Sequence, residues 1–231
     1  FGHLSAVYPD TVFSSIEQIE QLVATLPRSA IFSAAPHGAS AALIDRLLAK
    51  AEAAGTKPSV VDISADYRFA TNAAYAAVYK HDHGAQNRLS QFTCAVPEHL
   101  ASAPTPHIGH PGCFATAILL ASVPLLKLGI ATPTLFVSGV TGSTGSGRKP
   151  AEGTHHPTRH SDMYSYNALA HRHAPEVTAV AKAASGVDAH FAFVPHSGPF
   201  ARGIHVTVQA VLAKPASTAE LLDQFKQFYA H

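Results

Sequence analysis

Cys113 is one of only two cysteines in 231 residues, and it lies in His110-Pro111-Gly112-Cys113-Phe114-Ala115-Thr116-Ala117, behind a Pro-Gly turn and ahead of an apolar run. Ala117, Leu120, Ala121, Pro124 and Leu125 recur at helical spacing and Gly129 ends the pattern, which predicts that Cys113 occupies a first helical turn. Unpaired amide N–H groups and the positive end of the helix dipole stabilise a thiolate at such a position, so the sulfur is suited to nucleophilic attack. The same residues also read as a small buried side chain at the head of a core helix, since free cysteine is among the most buried residue types.

Imidazoles are the second chemical resource, with 16 histidines in the chain. His171 and His173, in His171-Arg172-His173-Ala174-Pro175-Glu176, precede a helix predicted to start at Pro175. An imidazole titrates near neutrality and can move a proton to or from a reacting oxygen. A different use of the same residues is a zinc site built from His155, His156, His160, His171 and His173 with Cys113. Their spacing lacks the Cys-x-x-Cys or His-Glu-x-x-His pattern that fixes metal geometry, so no metal is expected. The stretch from Thr141 to Arg148 is a Gly/Ser-rich loop after a strand, where backbone amides could hold an anion or a ribose, or where the chain could be a plain connector. Arg202 offers a planar donor fork to a phosphate or carboxylate, against the alternative of an ordinary surface arginine.

Taken together, Pro111 to Ala117, then Thr141-Gly142-Ser143-Thr144-Gly145-Ser146-Gly147-Arg148-Lys149-Pro150, then His171 to Glu176, resemble the N-acetyl-gamma-glutamyl-phosphate reductase family. Ala35-Pro36-His37-Gly38, Asp62 to Phe69 and Pro195 to Ile204 extend the resemblance over nearly the whole chain. It implies an NADPH-dependent reduction of an acyl phosphate to a semialdehyde through a cysteine thioester, in arginine biosynthesis, by a homo-oligomeric enzyme. Cys113 would be the nucleophile and His171 the acid/base, with Arg202, His173, Tyr166 and Arg148 around the substrate. Ala35, Pro36, His37, Ser64, Gly142, Ser143, Thr144 and Gly145 would line the NADP(H) site.

Two departures qualify the match. The family's Gly-rich pyrophosphate turn and its C-terminal segment fall outside the 231 residues, which reads as an internal piece of a longer protein. Phe92-Thr93-Cys94-Ala95-Val96-Pro97-Glu98 is closer to relatives that reduce a carrier-protein-linked glutamyl or aminoadipyl phosphate in lysine synthesis, which leaves that substrate as the alternative.

The elements that must position these residues read as α/β. A capping-box pattern at Ser14-Ser15-Ile16-Glu17 opens a helix with Ile16, Ile19, Val23 and Leu26 as its stripe. Residues 30–35 and 59–64 read as buried strands around a helix over 41–53 that Gly55 ends, which implies a parallel crossover with ligands at the strands' carboxyl ends. Strands are expected over 134–140, 189–195 and 203–212, the last alternating Ile204, Val206, Val208 and Ala210 with His205, Thr207 and Gln209. Ser217 to Glu220 caps a final helix. The expected fold is a partial Rossmann-type dinucleotide-binding domain over 1–110 followed by an α+β catalytic domain over 111–231 with a largely antiparallel sheet.

Composition excludes several classes. A net charge of +1 gives no pull toward nucleic acid or anionic membrane. The longest apolar stretch, Ile118 to Leu126, is too short to span a bilayer. With no secretory segment in view, the chain reads as cytoplasmic, with Cys94 and Cys113 as thiols.

Overall fold

Helix α1 (Ile16–Thr25) begins at Ser15, whose hydroxyl accepts from the Gln18 N–H while the Gln18 side chain accepts from the Ser15 N–H. The computed structural model describes residues 8–147 and 149–230. The capping box thus falls one residue later than the Ser14/Glu17 pairing expected from sequence. Gln at the third helical position serves as well as Glu, and the frame that packs Ile16, Ile19 and Val23 against Leu47 and Ala51 decides between them. Leu26, expected on the stripe, caps the helix and is exposed.

Strand β1 (Arg28–Ser33), helix α2 (Ser40–Ala54) and strand β2 (Lys57–Asp62) form the expected parallel unit, in register from Arg28↔Lys57 to Ser33↔Asp62. Gly55 ends α2 with φ +73°, a left-handed conformation that glycine adopts without a Cβ penalty. Helix α3 (Asn72–Tyr79) follows, and two short strands, β3 (Phe92–Cys94) and β4 (His107–Gly109), complete a parallel sheet in the order β1-β2-β4-β3. Strand β1 is buried on one face only: Ile31 packs beneath α1 and α2, while Phe32 on the other face is 76% exposed. The expectation of a fully buried strand fails because β1 lies at the sheet's edge with helices on one side.

Helix α4 (Cys113–Lys127) crosses to a second sheet built from β5 (Ala131–Thr141), β6 (Tyr164–Ser165), β7 (His190–Ser197) and β8 (Ile204–Leu212), in the order β6-β7-β5-β8. A one-turn helix α5 (His156–Arg159) and the longer α6 (His173–Ser185) lie between β5 and β7. Two of the three pairings are antiparallel, as expected, but β5 and β7 run parallel from Thr134↔His190 to Thr141↔Ser197. Parallel neighbours require a crossover, and α6 supplies it.

Helices α4 and α6 cover one face of this sheet with a continuous core that includes Phe114, Ile118, Leu119, Val123, Leu135, Val177 and Phe193. The side of α4 carrying Ala117, Leu120, Ala121 and Leu125 is only half-buried, and the fully buried residues are their neighbours Phe114, Ile118, Leu119 and Val123. A helix that is apolar almost all round has no single stripe for sequence to reveal. Helix α7 (Thr218–Phe228) has the expected Ser217/Glu220 capping box, and Tyr229 after it donates its hydroxyl proton to the Leu120 carbonyl at 2.6 Å. Among the described residues no helix is long and apolar enough to cross a membrane.

Candidate active site

Cys113 is the first residue of α4, and its side chain is exposed. Gly112 before it has no side chain to cap the helix, and its own N–H is taken by the Glu176 carboxylate at 2.5 Å. Glu176 lies in the first turn of α6 and is wholly buried. Its second oxygen is 3.4 Å from an Arg68 Nη1, and the same guanidinium donates to the carbonyls of Ile63 (3.2 Å) and His110 (3.1 Å). Arg68, itself buried, thereby ties the loops after β2 and β4 to α6. Burial pushes the Glu176 carboxyl up, against the opposing pull of Arg68 and the Gly112 N–H.

Only glycine fits at 112. A Cβ there would stand 2.4 Å from the His173 Nε2 and 2.8 Å from an Arg68 Nη1. Backbone, imidazole and guanidinium are therefore in contact directly behind the cysteine.

His171 and His173 are both buried, with ring centroids 4.7 Å apart. Helix α6 starts at His173 rather than at Pro175, because the His173 N–H finds an acceptor outside the helix: His171 Nδ1, at 3.2 Å. The His171 ring is wedged edge-on among Phe114, Tyr166 and Phe193. Burial lowers its pKa, and the adjacent Arg172 adds to the effect. For His173, burial, then His171 and Arg68, push the pKa down to about 3, which favours the neutral ring.

Cys113, Tyr166, Asn167, His171 and Arg172 share the wall of a cavity of about 640 Å³, which Gly145 and Ser146 also line. The structure thus brings Cys113, His171, His173 and Tyr166 together, across the long sequence separation that left their pairing to the fold. Burial raises the Tyr166 phenol, and Cys113 contributes in the same direction.

Other expected site residues sit elsewhere. Arg202 is exposed, does not line the cavity, and lies in the 200–203 loop that receives the Gly/Ser-rich segment. The N–H groups of Gly142, Ser143 and Thr144 are donated to the carbonyls of Gly203, Phe200 and Ala201. They are therefore not free to hold an anion, and a Cβ on Gly142 would strike the Ala201 and Arg202 backbone. Of the described residues of that segment Thr141, Gly145 and Ser146 line the cavity, while Arg148 lies outside the described residues. Ser64 is buried with its hydroxyl donated to Asp62 at 2.6 Å. Ala35 is half-buried, and Pro36 and His37 are exposed at the carboxyl end of β1. Their turn is held by the buried Asp66, which accepts from the N–H groups of Gly38 and Ala41. His37 Nδ1 accepts from the Ala65 N–H at 2.8 Å, and Arg172 and Arg68 are close enough to add to the burial that lowers its pKa.

Three contributors escaped the sequence reading: Arg68, Arg172 and Glu176. Each stands inside a quoted motif, yet a charged residue at a loop or helix start reads equally well as a solvated group; burial distinguishes Arg68 and Glu176, whereas Arg172 stays exposed and is marked by lining the cavity. Cys94 is half-buried, with its thiol pushed up by burial and by Glu176, and both cysteines are free. Among the described residues no three His, Cys, Asp or Glu side chains converge as a metal site, and His155, His156 and His160 are all exposed.

A parallel sheet joined through one helix to a mixed sheet is a fold shared with solved semialdehyde dehydrogenases. The structure superposes on aspartate semialdehyde dehydrogenase II from Vibrio cholerae with a TM-score of 0.60 at 12% identity, over 89% of this chain and 61% of that one. Residues 113–231 match the model of the semialdehyde dehydrogenase dimerisation domain, and the chain belongs to that family. It is 35% identical over 235 residues to the N-acetyl-gamma-glutamyl-phosphate reductase of Ectopseudomonas mendocina (strain ymp), covering 100% of this chain and 64% of that protein. The protein of the same name from Pseudomonas putida (strain W619) is 37% identical over 207 residues, covering 87% and 57%. The chain thus spans less than two thirds of the length of these curated relatives.

Proposed function

We propose that this chain carries the catalytic part of an NADPH-dependent N-acetyl-gamma-glutamyl-phosphate reductase. The observation that supports it most is Cys113, exposed at a helix N-terminus on the wall of a cavity shared with His171, Tyr166 and Arg172, in a chain at least 32% identical to reductases of that name.

In this reading Cys113 attacks the acyl carbon, phosphate departs, and the thioester is reduced to an aldehyde. His171 serves the reacting oxygen, and Tyr166 and Asn167 shape the wall beside it. Among the described residues Arg172 is the arginine that lines the cavity, and it takes an anionic group of the substrate, a role in which it replaces Arg202. Arg68 and Glu176 hold the Gly112 turn, and His173 packs under it.

The dinucleotide fits over the carboxyl ends of β1 and β2. The exposed Pro36–Gly38 turn has open space at Gly38, and the charges of Arg172 and Arg68 reach His37. When bound, the cofactor supplies a hydride. Ala35, Pro36, His37, Gly145 and Ser146 would hold it, while the hydroxyl and the N–H of Ser64 are both spent on Asp62. We place residues 1–110 with the cofactor and 111–231 with catalysis and self-association, and the enzyme as a homo-oligomer in the cytoplasm, where thiols stay reduced.

The test is to incubate the purified full-length protein with N-acetylglutamate semialdehyde, phosphate and NADP+ and follow formation of the reduced cofactor. Phosphate-dependent reduction of the cofactor is expected. No turnover with this substrate, together with turnover of a carrier-protein-linked semialdehyde, would move the assignment to the lysine-type relatives.

A further inference from the structure

We propose that the Ser197 hydroxyl binds the substrate by donating its hydrogen to an anionic oxygen, and that Arg159 is the positioning residue that holds and polarises this hydroxyl. The assignment rests on the acyl phosphate reading above, in which the substrate carries both a carboxylate and a phosphate.

Arg159 ends the one-turn helix α5 and is only 6% exposed. A guanidinium does not shed its proton in a protein, so burying it is costly unless an anion compensates. The other two buried arginines have such anions: Arg68 has Glu176, and Arg88 has Asp45 and Glu52. Among the described residues no carboxylate pairs with Arg159. Its acceptors are neutral, because Nη1 donates to the Ser197 Oγ and Nη2 to the Gly198 carbonyl. The charge is therefore left for a ligand to balance.

Ser197 is the last residue of β7, buried, and on the wall of the cavity that Cys113 also lines. It pairs with Thr141 at the end of β5 and with Tyr164 in β6, and all three line the cavity. Two of these hydroxyls are spent on backbone. Tyr164 donates to the Gly153 carbonyl at 3.1 Å, and Thr141 to the Gly142 carbonyl at 3.3 Å. The Ser197 oxygen instead accepts from Arg159, and among the described residues its own hydrogen has no acceptor. A hydroxyl whose lone pair is held by a cation is a stronger donor, because hydrogen bonds in a chain polarise one another. The turn behind it is pinned: the Gly198 N–H donates to the Thr141 carbonyl at 2.9 Å, and a Cβ on Gly198 would stand 2.8 Å from the Val140 Cγ1. A free hydrogen on the cavity wall and an unbalanced charge behind it select an anion. Arg172 takes one anionic group of the substrate in the reading above, and Ser197, backed by Arg159, takes the other. Carboxylate and phosphate offer the same oxygen chemistry, so the experiment has an arm for each.

Iodoacetamide labelling of Cys113 in the full-length protein, titrated with inorganic phosphate in one series and with N-acetylglutamate in another, reads occupancy of the cavity without turnover. In Ser197→Ala the half-protecting concentration of one of the two anions should rise about tenfold, the scale of a hydrogen bond to a charged group. A rise for phosphate assigns Ser197 to the phosphate, and a rise for N-acetylglutamate assigns it to the carboxylate. Arg159→Met should weaken protection by the same anion and spare the other. Ser197→Asp keeps an acceptor for Arg159 but replaces the donor with a negative charge, so it should hold the parent's urea midpoint and lose more protection than Ala. A purely structural clamp would be satisfied by Asp. Parent-level protection by both anions in Ser197→Ala, Ser197→Asp or Arg159→Met overturns the proposal, and so does an equal loss toward both anions, which marks a general collapse of the cavity. A parent protein that neither anion protects overturns it as well. Failure of a protected parent to reduce any acyl phosphate would instead strike the functional reading.

Discussion

Glu176, fully buried in the first turn of α6, accepts the backbone N–H of Gly112, the residue that caps the helix carrying Cys113. A carboxylate from one helix thus fixes the start of another, and Arg68 closes the arrangement from the first sheet. Glu176→Ala would leave the Gly112 amide without a partner and the buried Arg68 guanidinium without its counter-charge, held only by the Ile63 and His110 carbonyls, a loss of about 3–5 kcal/mol in stability. Glu176→Gln keeps an acceptor for Gly112 and should lose clearly less. Urea unfolding of both variants measures the difference, and equal losses would remove the Gly112 bond from the account.

Gly112→Ala tests the contact behind the nucleophile. Its backbone φ of −61° suits any residue, so the only cost is the Cβ that would meet His173 and Arg68. Turnover should fall by more than tenfold, at roughly 1.4 kcal/mol per decade, with a smaller change in substrate affinity. Steady-state kinetics decide it. Parent-like turnover would mean that the His173 and Arg68 positions do not matter to catalysis.

Cys113→Ser should abolish acyl phosphate reduction while cofactor binding persists, because a serine hydroxyl is far less ionised than a thiol at neutral pH. Cys94, with its thiol raised by burial, should remain slow to alkylate in the parent protein. Mass-mapped labelling with a limiting alkylating agent should place the fast site on Cys113.

Stability should fall as pH drops from about 6.5 toward 3. The folded His173 has its pKa depressed to about 3, whereas in the unfolded chain it takes the ordinary 6.5. Between these values the unfolded state binds a proton that the folded state refuses, so acid favours unfolding, by an amount on the order of 2–4 kcal/mol. His173→Gln should flatten that slope. Unfolding free energies measured across the window check it, and an unchanged slope would show that other groups carry the dependence.

Arg172 and Arg202 can be separated by kinetics. Arg172→Gln should raise the substrate Michaelis constant about tenfold or more, the scale of one charge-assisted contact, because its side chain lines the cavity. Arg202→Lys should change it little, since Arg202 does not line the cavity. The reverse ranking would restore the role expected for Arg202 from its motif.

By itself the sequence determined the parts whose causes are local. The Gly55 and Gly129 stops, the Ser217/Glu220 box, the alternation of β8 and the place of Cys113 on a first helical turn follow from propensity and periodicity within a few residues. Whatever depends on which segments meet was decided by the tertiary structure. The Ser15 frame of α1 was set by packing on Leu47 and Ala51, and the parallel pairing of β5 with β7 by the crossover through α6. The start of α6 at His173 required an acceptor that only the fold of residues 171–173 supplies. The Gly142–Thr144 amides look free in sequence and are taken by carbonyls about 60 residues away. Arg68 and Glu176 are ordinary charges in the sequence. Burial together, against Gly112, makes them the support of the site, because desolvation binds a charge tightly to whatever partner the fold provides.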